Sequence, residues 1–427
     1  MTSCLLCLLF TFTALRFLAR KNNKTPAKLL PPGPARLPII GNLHNMGDQP
    51  HRSLADLAKV HGPLMSLKLG QLTTIVASSP AMAKEILQKH DQVLSNRHTI
   101  LAAQVHDHHM FGFVWLPVQS KEWRNFRRVC NSYIFATQKL DSNQELRREK
   151  IEELLQSVRR NACEGKKAVD VGREAFKVSL NALSRTILSL DLADVEGLET
   201  ERYFIGMKRL NHGRTIKYLT MDISGMTSGT VSFTMIQRRS RDHFGKVLDL
   251  FGSVIDERLR KLKSGSYVSG NDVLDSLLAI GDENPEASMD PLRIKHLFSD
   301  LFMAGTDTTS TTLEWAMAEL LRNPTTLAKA REELDCTIEK GNHLQESDIH
   351  RLPYLQSIIK ETLRLHPSAP FLLPHKAGAD VEINGFTIPK GAQILVNAWA
   401  IGRDSATWDD PKSFIPERFM GSEVDVR

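Results

Sequence analysis

Between Asp290 and Pro324 the chain carries a largely apolar pattern that suits one helix of about 30 residues, roughly 45 Å at 1.5 Å per residue, so it has to cross a whole domain. Asp290-Pro291 reads as an N-cap followed by proline at the first helical position, and Asn323-Pro324 as the stop. Phe298, Leu301, Phe302, Leu313 and Leu320 carry the apolar face. In its middle sits Ala304-Gly305-Thr306-Asp307-Thr308-Thr309, a poor choice for stability. Glycine costs about 1 kcal/mol against alanine, and threonine and aspartate are weak helix formers. Hydroxyls that bond back to the preceding turn also tend to bend or open the ladder. Local inconsistency of this kind often marks a functional site. The plainer reading is a buried helix with a close contact at Gly305 and threonine hydroxyls satisfied within the helix.

Other motifs stand in a fixed order around it. Glu361 and Arg364 are three residues apart and share a helix face. Alone they would be an ordinary surface pair worth at most about 1 kcal/mol. A further arginine follows in Phe414-Ile415-Pro416-Glu417-Arg418-Phe419. Trp123 and Arg127 also share a helix face, and His375 lies between Pro374 and Lys376.

In order and spacing these motifs resemble the cytochrome P-450 superfamily, the haem-thiolate monooxygenases. The strings PPGPARLPIIGNL, AGTDTTSTTLEWAMAELLRNP, YLQSIIKETLRLHPSAP and PERF place it with the plant microsomal type, near the geraniol 8-hydroxylase-like branch. The resemblance runs from Pro31 to Phe419. It implies a mainly α fold with a small β-rich part, in one large domain. It also implies haem b, fed with electrons from NADPH through a flavoprotein reductase, and hydroxylation of a small lipophilic, terpenoid-like metabolite. By the same resemblance Ala304 and Gly305 leave room beside the porphyrin, and Asp307 and Thr308 carry protons to dioxygen, a task suited to a hydroxyl backed by a group in touch with water. Trp123, Arg127 and His375 would bind the haem propionates. Glu361, Arg364 and Arg418 would form a buried cluster that locks the core and does no chemistry; such clusters are costly to desolvate. Val105, Phe111, Val114, Phe371 and Leu372 would border the substrate pocket, with plain core packing the alternative for each.

The family's axial ligand is a cysteine in an F-x-x-G-x-R-x-C-x-G loop after P-E-R-F. The residues from Met420 to Arg427 contain no such loop. None of the five cysteines, Cys4, Cys7, Cys130, Cys163 and Cys336, has glycine-rich surroundings. The thiolate favours O–O cleavage. The expectation is therefore a chain without the axial cysteine, and so without a metal ligand, and inactive as given. A truncated, non-catalytic pseudoenzyme without haem is the competing reading.

The formal net charge is +6, but both signs are mixed along the chain and no basic stripe with stacking aromatics appears, so nucleic-acid binding is not expected. Arg124, Arg127 and Arg128 offer a basic patch for an acidic electron donor, by the family resemblance. The odd cysteine count, without framework spacing, implies no disulfides. Residues 1–20 read as an apolar signal anchor followed by basic residues, and a cleaved signal peptide is the rival. That places a single-pass protein in the endoplasmic reticulum membrane with its domain in the cytosol. Residues 21–43 form a basic, proline-rich hinge, stiff around Pro31-Pro32-Gly33-Pro34. Residues 44–427 are the domain.

Within it, Leu64–Leu69 and Leu72–Val76 read as a hairpin around Gly70-Gln71, and Val381–Ile383 and Phe386–Ile388 as another around Asn384-Gly385. Gln393–Asn397 adds a strand. Helices are expected from Pro80 to about His90, from Trp123 to Leu192 and from Phe244 to Leu262. His106-Asp107-His108-His109 invites a metal reading, but adjacent loop residues rarely converge on one ion. Residues 206–233 are Gly/Ser/Thr-rich without proline and depart from the family pattern.

Overall fold

The computed structural model describes residues 29–99, 101–165, 168–193, 230–265, 272–283, 289–338, 342 and 344–425. The described chain is mainly helical. It opens with α1 (Pro50–His61), the hairpin β1 (Leu64–Leu69) and β2 (Leu72–Ala77), and α2 (Pro80–Lys84), which a π-helical turn extends to Lys89. β3 (Asn96–Arg97) precedes the helices α3 (Lys121–Tyr133), α4 (Gln144–Arg159), α5 (Val171–Leu188), α6 (Thr230–Lys263) and α7 (Val273–Glu283). The central helix α8 (Pro291–Arg322) leads to α9 (Pro324–Thr337) and α10 (Pro353–Leu365). β4 (His375–Lys376), β5 (Val381–Ile383), β6 (Phe386–Ile388) and β7 (Gln393–Val396) complete the strands.

Helix starts follow local chemistry. Ser120 accepts from Trp123 N at 3.0 Å, Asp170 from Arg173 N at 3.0 Å and Asp290 from Arg293 N at 2.8 Å. α8 runs from its proline N1 to Asn323 as one 32-residue helix, about 48 Å long. The helix is not interrupted at the threonines, so the opening expected there does not occur. The Thr308, Thr309 and Thr312 hydroxyls donate to carbonyls four residues back, at 2.7, 2.9 and 2.8 Å, without interrupting the helix. The second hairpin turns through Asn384 (φ 54) and Gly385 (φ 77), two successive left-handed residues that close a tight turn.

β1, β2, β7, β4 and β3 form one sheet in that order; β2 and β7 are parallel and the other neighbours antiparallel. β5 and β6 pair separately. The largest apolar core lies among α3, α5, α6, α7 and α8, where Phe126, Phe176, Phe251, Phe298 and Phe302 meet. Two smaller cores sit on the sheet, and a fourth joins α8, α9 and α10 to Phe414. α8 therefore lies against both the helical bulk and α10, and α5 packs along it most extensively.

Among the described residues no helix is long and apolar enough to cross a membrane. The expected anchor (1–20), residues 21–28 of the hinge and residues 206–229 lie outside the described residues.

Candidate active site

Near its midpoint α8 opens to solvent. Ala304, Gly305, Thr308 and Thr309 are exposed, whereas Phe302, Thr306 and Ser310 are buried. On a helix, residues 304 and 308 stack on one face. Here that face is lined by a methyl, a missing side chain and hydroxyls, a small-residue strip that precedes the larger exposed side chains Leu313, Trp315, Met317 and Leu321 on the same helix. Gly305 also brings α5 close, since a Cβ there would stand 3.2 Å from Leu183 Cδ2. Asp307 is half-buried beside the strip. Thr306 Oγ1 and Thr311 Oγ1 are buried without a hydrogen-bond partner.

A second group of residues offers only positive or N–H donors. Arg97 on β3 and His375 on β4 are register partners in an antiparallel pair. Arg97 Nη1 donates to Leu373 O at 3.1 Å, and His375 Nδ1 donates to Leu94 O at 2.7 Å. Burial holds the Arg97 guanidinium below its usual pKa. Burial, then the charge of Arg97, pushes the His375 imidazole down to about 4. Neither pairs with a carboxylate among the described residues. The loop just before α3 is tied to the same segment, with Val118 N donating to Asn96 Oδ1 at 3.2 Å and Gln119 Nε2 to Gln92 O at 3.1 Å. On α3, Trp123 is half-buried and stacks on Phe113 with centroids 5.8 Å apart, while Arg127 is exposed. The half-buried Arg97 guanidinium and the His375 imidazole, register partners without a compensating acid, make a donor pair suited to carboxylates.

Glu361, Arg364 and Arg418 meet in the interior. Arg364 Nε and Nη2 donate to the two Glu361 oxygens at 2.6 and 2.7 Å, and Arg418 Nε to Glu361 Oε1 at 3.1 Å. The remaining Arg364 donors reach Gly402 O, Pro411 O (2.8 Å) and Ser413 O (3.0 Å), and Ile415 N donates to Glu361 at 2.8 Å. The Glu361–Arg364 pair is fully enclosed. It ties α10 to the chain from Gly402 to Arg418.

The five residues named for the pocket divide. Val105 is buried with Phe244, Leu248 and Met303. Phe111 stacks on His296 of α8 at 5.3 Å, and Val114 N donates to Asp300 of α8 at 3.2 Å. These three lie along α8. Phe371 is instead enclosed in the sheet-side core with Met65, Val76 and Leu395, and Leu372 beside it is exposed with φ 54.

Residues 31–426 match the family model "Cytochrome P450". The chain is 48% identical to a geraniol 8-hydroxylase of Catharanthus roseus over 99% of its own length and 84% of that relative's. It is 47% identical to a geraniol 8-hydroxylase of Swertia mussotii, over 98% of this chain and 83% of the relative. A geranylhydroquinone 3''-hydroxylase of Arnebia euchroma is 44% identical over 100% of this chain and 84% of the relative. The chain belongs to the cytochrome P450 family.

Haem is the group a P450 implies, and two features of this chain fit it. The small-residue strip on α8 gives a flat ring room to lie against the helix. The acid-free pair Arg97 and His375 suits its carboxylates. A thiolate ligand is a different matter. Burial pushes the Cys130 thiol up to about 12, the reverse of what a metal-binding sulfur needs, and Cys163 and Cys336 are exposed. Arg97 escaped the sequence reading. Its partner His375 is far along the chain, and only strand pairing brings the two together.

Proposed function

We propose that this P450 hydroxylates a small, lipophilic, terpenoid-like alcohol with electrons from NADPH through a flavoprotein reductase, on the cytosolic face of the endoplasmic reticulum membrane. The observation that carries the reading is the exposed small-residue strip Ala304-Gly305-Thr308 near the middle of the central helix. The hydroxylases among its relatives, two of them named for geraniol, support the substrate class. Haem, when bound, supplies oxygen activation. Trp123, Arg127, Arg97 and His375 hold its propionates, and Ala304 and Gly305 keep side-chain bulk away from its face. The Thr308 hydroxyl passes a proton, and half-buried Asp307 restores it from solvent. Val105, Phe111 and Val114 wall the substrate side. The basic residues Arg124, Arg127 and Arg128 are exposed on α3 and suit an acidic reductase surface. Residues 1–20 serve as the membrane anchor.

The second reading, a haem-free pseudoenzyme, is favoured by one observation: the buried Cys130 thiol is held protonated and Cys163 and Cys336 are exposed. We therefore propose that none of the three is the axial ligand. A polypeptide of these 427 residues, loaded with haem and reduced under carbon monoxide, is expected to show no thiolate-type Soret band. The same residues continued by the cysteine loop of the Catharanthus roseus relative are expected to show that band and to hydroxylate geraniol or a similar alcohol when given reductase and NADPH. The band without any hydroxylated monoterpenoid would overturn the substrate class. The band in the 427-residue polypeptide would overturn the ligand assignment.

A further inference from the structure

His106 (φ 52, ψ 30) and Asp107 (φ 54, ψ 25) are two successive non-glycine residues in the left-handed region. Side chains adopt that conformation at a cost, and it persists only where surrounding contacts enforce it. The double reversal turns His108 inward, where it is 5% exposed. Its ring lies over Gly112, at which a Cβ would stand 2.6 Å from His108 Cε1. His106 is turned the other way, its Nε2 3.0 Å from Arg241 O on α6 and over Gly245, where a Cβ would stand 3.0 Å from the same nitrogen. Two glycines on different elements thus leave slots for two imidazoles.

Within the slot, hydrogen bonds reach α8. His108 Nε2 donates to Asp300 Oδ1 at 2.9 Å, and Asp300 Oδ2 accepts from Val114 N at 3.2 Å. His108 Nδ1 and His296 Nδ1 are 2.8 Å apart, so one of them carries the shared hydrogen. With Nε2–H committed to the carboxylate, a neutral His108 ring accepts at Nδ1 from His296. Phe244 of α6 packs on the His108 ring at 4.7 Å, and Phe111 on His296 at 5.3 Å. Three elements meet here: the 105–114 segment, α6 and α8.

We propose that His108 and Asp300, braced by His296, form a latch that positions the 105–114 segment on the central helix and so sets the wall of the substrate pocket. They are positioning residues. Asp300 lies one helical turn before Ala304, so the latch fixes Val105, Phe111 and Val114 relative to the open strip. The inference rests on reading those three as pocket wall. On one side of the left-handed pair the His108–Asp300 bond, and on the other the His106 contact with Arg241 O, hold the strained backbone in place. The slot over Gly112 is the geometric condition for the bonds.

Hydrogen exchange on the full chain tests this, with His108→Leu, His108→Gln and Gly112→Ala beside the parent protein. Gln keeps an N–H able to reach Asp300, and Ala at 112 closes the slot without replacing a polar group. His108→Leu and Gly112→Ala are expected to speed amide exchange across 105–114 by about tenfold, the scale of one lost hydrogen bond, with α10 amides unchanged. His108→Gln is expected to restore most of the protection. Geraniol affinity, read by intrinsic tryptophan fluorescence, is expected to fall about tenfold in the two loosened variants. Unchanged exchange in both, or a Gln variant no better than Leu, overturns the latch. Faster exchange with unaltered geraniol affinity overturns its role in the pocket. Should the parent bind no monoterpenoid alcohol, the functional reading fails and the exchange arm alone decides the latch.

Discussion

Arg97 and His375 face each other across an antiparallel strand pair, and neither meets a carboxylate among the described residues. Both are held by a single backbone carbonyl, Leu373 O for the arginine and Leu94 O for the histidine. A half-buried guanidinium beside a neutral imidazole is an unbalanced charge, and an anion settling there would relieve the imbalance.

Arg97→Ala is therefore expected to weaken haem binding about tenfold, the scale of one charge-assisted hydrogen bond. The measurement is a haem titration of the purified chain followed by tryptophan quenching. Arg97→Lys should recover only part of the loss, because an ammonium cannot offer the paired donors of the guanidinium. Equal affinity in all three proteins would assign the cation to the fold alone.

The same burial gives a pH dependence. His375 is held down to about 4, by burial and then Arg97. His296 is held down to about 3, by burial and then His108 and Lys295. Both folded values lie below the ordinary histidine value of 6.5. The unfolded chain thus binds more protons between pH 6.5 and the folded values, and stability rises with pH across that window. The contribution is full above about pH 6.5 and is lost as pH falls through about 4 for His375 and about 3 for His296. Urea midpoints taken from pH 7.5 to 4.5 should fall steadily, and His375→Gln should flatten part of that slope. A variant with the parent's slope would show that His375 protonates freely in the folded state.

Chain-local features were readable. Asp290-Pro291 and Asn323-Pro324 bracket α8 at Pro291–Arg322. Asn384-Gly385 turns a hairpin because both residues take positive φ. The contact of Glu361 with Arg364 follows from helical spacing. What the sequence hid depends on distant pairing. Arg97 acquires meaning only from β4, and the His108–Asp300 bond joins positions 192 residues apart. His108 belongs to a His-rich run that suggested metal at most. Its slot at Gly112 depends on the backbone reversal at His106 and Asp107, which neither residue type announces. For Phe371 the core-packing alternative describes the enclosed position, and the short run Phe371-Leu372-Leu373 has no period to decide it in advance.

Glu361 is the shared acceptor for two arginines and for Ile415 N, so its replacement strands more than one donor. Glu361→Gln keeps the shape but leaves two guanidiniums without a counter-charge, one of them fully enclosed. The expected cost is about 3–5 kcal/mol, as for other broken buried pairs. Arg418→Ala should cost less, since that side chain is 11% exposed and Glu361 keeps its enclosed pairing with Arg364. Chemical denaturation ranks the two. A Glu361 variant with the parent's midpoint would mean the cluster is dispensable to the fold.

Thr308 separates structure from chemistry most cleanly. Its hydroxyl donates to Ala304 O at 2.7 Å on the exposed face of α8, a bond the helix does not need because Ala304 O already serves the backbone ladder. Thr308→Ala removes that back-bond and substitutes a better helix former, so stability should hold or rise by up to about 0.7 kcal/mol. In a haem-loaded form that carries the relative's cysteine loop, the same change should lower product per oxygen consumed, with a productive rate reduced on the order of 10²-fold, the scale of a positioned proton donor. Thr308→Ser, which keeps the hydroxyl, should retain most of the coupling. If Ala and Ser variants couple oxygen to product equally well, the hydroxyl carries no proton and the open strip serves only to make room.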